Sequence, residues 1–241
     1  GMSQVCLALR LLGQERAADI HAGLQIAADH PGIDGEQIAL LGWSHGGWTI
    51  LDALTFAGRG QTPSALHDAP AGLPGVQLAL AMYPYCSFPA LADGRDLPQN
   101  IPLHAILAED DVIAPAGRCE RRLARSGSHV SHEIYSGQTH AFDEPNAPAL
   151  DPRIVDNEKA SEQAAHAAFS VVLEGWNCPA SHTRHADVVS TNARPASQIL
   201  QDGMVAVFSS WYLPAEQGRQ LTLLVMIQSG SYAGFQQLRN R

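Results

Sequence analysis

A serine, an acid and a histidine stand in this chain in an order from which they could act together. Ser44 lies within Gly42-Trp43-Ser44-His45-Gly46-Gly47, Asp111 closes Ala108-Glu109-Asp110-Asp111, and His140 opens His140-Ala141-Phe142-Asp143. A serine hydroxyl is a weak nucleophile until a neighbouring base takes its proton, and the imidazole works best when a carboxylate fixes its tautomer. The chemistry open to such a set is transfer of an acyl group to the serine and then to water. Each member alone has a plainer reading. The serine could be incidental in a glycine-rich turn, the acidic run could be a solvated strand end, and the chain holds 11 histidines. Glu109 and Asp110 compete with Asp111 for the acid's place.

The elements around these residues decide what the pattern is worth. Gln37–Gly42 is an apolar run, and Trp48–Phe56 has helical spacing. Strand, then G-x-S-x-G, then helix is the context of a nucleophile elbow, a strained turn that holds the serine clear of the sheet. Gly42 and Gly46 supply the small neighbours such a turn needs, and Gly47 lets the helix lie close to the strand. The helix start offers free N–H groups behind Ser44. The acid should then end a later strand, which Asp111 does after Ile101–Ala108. The base should follow the last strand, which His140 does after Val130–Tyr135.

The rest of the chain supports an α/β reading. Residues 1–12 are apolar, and Gln14 to Asp29 carries apolar residues at helical spacing before His30-Pro31-Gly32 stops it. Gly58–Gly75 and Phe88–Asn100 read as loops, Val76–Tyr83 as a buried strand, Pro115 to Ser126 as a helix and Arg153 to Trp176 as a terminal helix. Continuous apolar strands alternating with helices imply a mostly parallel sheet with helices on both faces. Beyond Asn177 the composition turns polar, and Met204–Leu213 and Leu221–Gln228 then read as two strands of a hairpin.

Apolar residues make up 45% of the 241 and charged residues 16%, as expected for a globular protein with a sizeable core. The formal charge of −9, without a Lys/Arg run, argues against nucleic acid or an anionic membrane as partner. Cys6, Cys86, Cys119 and Cys178 have no metal-ligand spacing and suggest no disulfide framework, so a reducing, cytoplasmic setting is the default.

Gly42-Trp43-Ser44-His45-Gly46-Gly47, Ala108-Glu109-Asp110-Asp111 with Pro115 and Arg118-Cys119, and Tyr135-Ser136-Gly137 with His140-Ala141-Phe142-Asp143 resemble the dienelactone hydrolase family. These are α/β hydrolases that act on lactones and small esters. The resemblance spans about residues 14–176. It implies Ser44 as nucleophile, Asp111 as orienting acid, His140 as base and the backbone N–H of His45 as an oxyanion donor, with no cofactor and no metal. The family's namesake enzymes carry cysteine where Ser44 stands, and Ala108 replaces a family glycine. Relatives also have strands ahead of the point where this chain starts, so an N-terminally truncated domain over 1–176 with an extension over 177–241 is expected. The edge of the Ser44 strand would then need a partner, either the tail strands or a second chain in a homodimer. An unrelated tail is the alternative.

Other residues read less sharply. Trp43, Tyr83, Tyr85 and Phe142 could line an acyl pocket or simply pack. Cys86 and Cys119 each follow a strand end, where a disulfide, a site-lining thiol or an isolated buried thiol would fit. His182 and His185 have a metal-binding spacing that a surface loop explains as well. The expected function is a serine hydrolase of a small ester or lactone. A prolyl-oligopeptidase-type peptidase shares Gly-Trp-Ser-x-Gly-Gly, and a hydrolase relative serving as a binding module is the reading outside enzymes.

Overall fold

The structure is a computed structural model and describes residues 12–29, 34–66, 70–144, 152–175, 204–212 and 220–228. The apolar lead-in, Asn177–Pro195, His182, His185, Cys6 and Cys178 lie outside the described residues.

The chain runs α1 (Gly13–Asp29), β1 (Ile38–Trp43), α2 (His45–Gly58), β2 (Val76–Met82), a 3-10 turn (Gly94–Asp96), β3 (Leu103–Ala108), α3 (Ala116–Leu123), β4 (Val130–Tyr135), α4 (Glu158–Gly175), β5 (Met204–Tyr212) and β6 (Gln220–Gln228). One six-stranded sheet has the order β4-β3-β2-β1-β6-β5. Neighbours are parallel except β5 and β6, which are antiparallel.

Alternate residues of each central strand face opposite sides. Ile38, Leu40, Ala79, Ala81, Leu103 and Ala105 pack beneath α1, α2 and α3. Ala39, Leu41, Leu80, Met82 and Ile106 pack with Ala160 and Ala164 of α4 on the other side. Burial on both faces explains why β1, β2 and β3 are continuous apolar runs. β4 pairs only with β3 among the described residues, and none of its residues is fully buried.

β1 is not left with an open edge. β6 runs parallel beside it, with Ile38 opposite Thr222 and Gly42 opposite Met226. The partner expected for this edge is thus supplied by the chain itself, and β5 closes the hairpin outside it. This placement satisfies backbone groups that would otherwise cost about 1–3 kcal/mol each when buried.

Two boundaries moved for identifiable reasons. β3 begins at Leu103 because Pro102 has no N–H to give, although its carbonyl still accepts from Ala79 N. The terminal helix begins at Glu158, since Asn157 Oδ1 accepts from Ala160 N and caps it.

The structure has one of the alternatives open for Cys86 and Cys119. Cys86 and Cys119 form a disulfide, with Cα atoms 5.0 Å apart. The loop after β2 and the helix after β3 meet at the same end of the sheet, which brings these residues together. The bond removes the ground for a reducing compartment by default. Among the described residues no helix is long and apolar enough to cross a membrane.

Candidate active site

Ser44 occupies the single-residue turn between β1 and α2. Its φ of 48° and ψ of −112° are strained for a residue with a side chain. The turn is possible because its neighbours lack Cβ atoms. A Cβ on Gly42 would sit 2.6 Å from Gly46 C and 2.8 Å from Ile50 Cδ1. A Cβ on Gly47 would sit 3.0 Å from Pro84 Cβ and 3.1 Å from Gly42 O. Ser44 N donates to Met82 O at 2.8 Å, fixing the elbow to the end of β2.

Three predicted residues come together. Ser44 Oγ is 2.8 Å from His140 Nε2, and His140 Nδ1 is 2.7 Å from Asp111 Oδ2. The His140 and Asp111 side chains are buried. Asp111 cannot swing away, because its Oδ1 accepts from Ile113 N at 2.8 Å and Ala114 N at 2.7 Å. Its two rivals point elsewhere. Glu109 is exposed and accepts from Ser136 Oγ and Gly137 N, which hold its carboxyl below the usual range. Asp110 is exposed, with its backbone N–H donating to Gln138 O.

His45 is the first residue of α2, where helix geometry leaves the N–H without an intrahelical acceptor. Its imidazole is buried, 3.0 Å from Arg16 Nη1 at Nδ1 and 4.8 Å between centroids from the Trp48 ring. Arg16, on α1, is equally buried. Its place beneath the elbow had no signal in the sequence beyond one cation in an otherwise apolar helical pattern.

The four aromatics proposed for a pocket are divided. Phe142 is 0% exposed and Tyr83 2% exposed, so both belong to the core beneath the site. Phe142 stacks on Tyr135 and meets the edge of Tyr83, and Tyr83 in turn meets His140 edge-on. Tyr85 leans on Trp48, with ring centroids 5.2 Å apart, and its hydroxyl donates to Phe88 O. Trp43 is half-buried and donates its Nε1–H to Asp143 Oδ2 at 2.6 Å.

Asp143 also accepts from the Tyr83 hydroxyl at 2.6 Å. Burial pushes its carboxyl above the usual range, while the Tyr83 and Trp43 donors and the nearby His140 oppose that rise. Burial, and then the Asp143 charge, raise Tyr83 well above an ordinary phenol, so it stays protonated and donates. In the sequence Asp143 stands out only as the end of His140-Ala141-Phe142-Asp143. Among the described residues no cluster of His, Cys, Asp or Glu could hold a metal ion.

The sequence matches the model of the dienelactone hydrolase family over residues 7–174. Among curated proteins none matches. Among solved structures, a dienelactone hydrolase-like promiscuous phosphotriesterase from metagenomic libraries is similar at TM-score 0.50 and 16% identity, over 67% of this chain and 61% of that one. Thermogutta terrifontis esterase 2 is similar at TM-score 0.47 and 14% identity, over 71% of this chain and 68% of that one. A Mycobacterium tuberculosis puromycin-hydrolyzing peptidase gives TM-score 0.48 and 15% identity, over 69% of this chain and 26% of that one. The chain spans less than two thirds of the length of the first of these. The first of these, at 16% identity, speaks for a shared fold alone, while the family match covers most of the chain. The protein belongs to the dienelactone hydrolase family of α/β hydrolases.

Proposed function

We propose that this chain is a serine hydrolase that cleaves a small carboxylic ester or lactone through an acyl-enzyme. The observation that carries the reading is the continuous relay from Ser44 Oγ through His140 to Asp111, at 2.8 and 2.7 Å. Asp111 is an acceptor at Oδ2, so His140 Nδ1 carries the proton and Nε2 is left as the base facing the serine.

His140 Nε2 takes the Ser44 proton as Oγ bonds to the substrate's carbonyl carbon. The carbonyl oxygen becomes an oxyanion, and the His45 N–H at the start of α2 stabilises it. Collapse breaks the bond to the leaving alkoxide, which receives the proton from His140. For a lactone the alkoxide stays tethered to the acyl group. Water, deprotonated by His140, then attacks the acyl-enzyme and frees the acid and Ser44. The ester and lactone substrates rest on the family match and on the serine, in place of the namesake enzymes' cysteine. No nucleic-acid or membrane partner and no cofactor enters this scheme.

A fluorophosphonate probe tests it. The folded protein should be labelled at Ser44, Ser44→Ala should abolish labelling, and the same change should lower ester hydrolysis by about 10⁴-fold or more. A folded protein that resists labelling would refute the reading and favour a binding module. A panel of short-chain esters, lactones, a phosphotriester and peptides assigns the substrate class.

A further inference from the structure

Among the described residues only Ser44, Tyr83 and Ala141 combine a side chain with a positive φ, at 48°, 35° and 54°. Such backbone is costly and persists only where its surroundings over-determine it. Each of the three either bonds one carboxylate or stands within two positions of a residue that bonds or bears it. Trp43, next to Ser44, donates Nε1–H to Asp143 Oδ2 at 2.6 Å. Tyr83 donates its hydroxyl to Asp143 Oδ1 at 2.6 Å. Ala141 lies between His140 and Asp143 in the loop after β4.

These contacts join residues 100 and 60 positions apart in the chain. In the sheet they reach from the loop after β4 to the ends of β2 and β1, passing over β3. The loop is also held by Phe142, whose ring stacks on Tyr135 and whose carbonyl accepts from Asn157 N at 2.7 Å. Thr139 Oγ1 holds it too, donating to Val155 O and accepting from Val155 N. Those bonds fix the loop to β4 and α4. The Ser44–His140 hydrogen bond and the ring contacts of Tyr83 with His140 and Phe142 also reach the serine's strand end and the turn after β2. The Asp143 pair adds to them two hydrogen bonds from side chains that take no part in proton transfer.

We propose that Asp143 is a positioning residue: its two oxygens tie the elbow strand, the turn after β2 and the histidine loop into one unit, and so set Ser44 and His140 at hydrogen-bonding distance. The inference rests on the Ser44–His140 reading above. It adds a residue that touches neither substrate nor the reacting atoms. Both donors come from rigid rings, so the carboxylate receives them in one geometry. Removing it leaves the Trp43 and Tyr83 donors without their acceptor and frees the two strained turns to relax independently.

The test compares the wild type with Asp143→Ala, Trp43→Phe, Tyr83→Phe and the double variants, using a fluorophosphonate probe and a short-chain p-nitrophenyl ester. A displacement of about an ångström at a reacting pair costs on the order of 10²-fold, and Asp143→Ala should lower kcat and the labelling rate by that much, with KM changed less than about threefold. Trp43→Phe and Tyr83→Phe should each give a smaller loss and add little to Asp143→Ala, because they cut the same unit. A purely structural residue would instead lower the melting temperature and leave kcat per active site intact. The second readout is the downfield proton of the His140–Asp111 hydrogen bond in the NMR spectrum. It should broaden or disappear in Asp143→Ala. Should Asp143→Ala fail to fold, Trp43→Phe and Tyr83→Phe carry the same two readouts. Labelling within about threefold of the wild type in a folded Asp143→Ala, or independent addition of the effects, would overturn the proposal. If the wild type takes no label, the serine hydrolase reading fails, and the NMR resonance alone decides the clamp: loss supports it, persistence refutes it.

Discussion

Replacing Cys86 and Cys119 together by alanine should lower stability by an amount that loop length sets. The bond closes a separation of 33 residues. A cross-link of that span removes about 12.5 cal/mol/K from the unfolded chain, or about 3.7 kcal/mol at 25 °C. Both cysteines are buried in the core, at 2% and 1% exposure, so the double variant also loses some packing. For a chain of this size each kcal/mol moves the midpoint by roughly 2–4 °C, which puts the expected drop at roughly 7–15 °C. Activity at 25 °C should fall far less, because Asp111 is held by the Ile113 and Ala114 amides and not by the disulfide. The assay is thermal and urea unfolding of both proteins, with non-reducing peptide mapping of the wild type to find the linked Cys86 and Cys119 peptides. A midpoint within about 2 °C of the wild type would refute the reasoning, because a loop of this length predicts several times that change. Free thiols at both positions in the purified protein would refute it at the first step.

Gly42→Ala should dismantle the elbow, since its methyl would press on the Gly46 backbone at 2.6 and 2.7 Å; a loss of roughly 1–3 kcal/mol in urea unfolding should accompany loss of probe labelling. Asp111→Asn should lower kcat by about 10³–10⁴-fold, whereas Glu109→Gln and Asp110→Asn should stay near the wild type; a severe effect at Asp110 would reassign the acid. Asp52, fully buried on α2, has its carboxyl pushed by burial from 3.8 to about 7, against donors from Leu91, Trp48 and Ala92 and the charge of Arg122. Its folded form therefore holds a proton that the unfolded chain releases, and its contribution is present below about pH 4 and lost as pH rises to about 7. Relative to Asp52→Asn, the wild type should lose up to about 4 kcal/mol across that window at about 1.4 kcal/mol per unit, and parallel pH–stability curves for the two proteins would contradict this.

What the sequence disclosed follows the range of the interactions concerned. The elbow was legible because its requirements are local: small residues at Gly42 and Gly46, an apolar strand before and a helix after. Asp111 and His140 were legible because each sits at the end of a strand that its own apolar run announces. The acid was open among neighbours in the sequence, and what sets Asp111 apart, its contact with His140 and the amides of Ile113 and Ala114 on its other oxygen, exists only in the folded turn. The aromatics stayed open between pocket and packing for the same reason. A tyrosine at a strand end reads alike whether it opens to solvent or, like Tyr83, turns inward to a carboxylate 60 positions away. Arg16 under His45, and Cys86 against Cys119, are likewise meetings of distant segments without a pattern of their own.

The pairing of β1 with β6 bears on how the molecule is made. β1, which ends beside Ser44, and β6, which covers its edge, lie far apart in sequence, with Ile38 beside Thr222. Contacts between such distant positions form slowly, because a long loop must close before any bond repays it. On the ribosome the elbow strand would meet β2 first and remain one-sided until β6 emerges. During that interval its free edge is the segment most open to pairing with another nascent chain. Synthesis slowed before β6 should thus lower the yield of soluble protein, whereas the same delay placed after β6 should leave it unchanged.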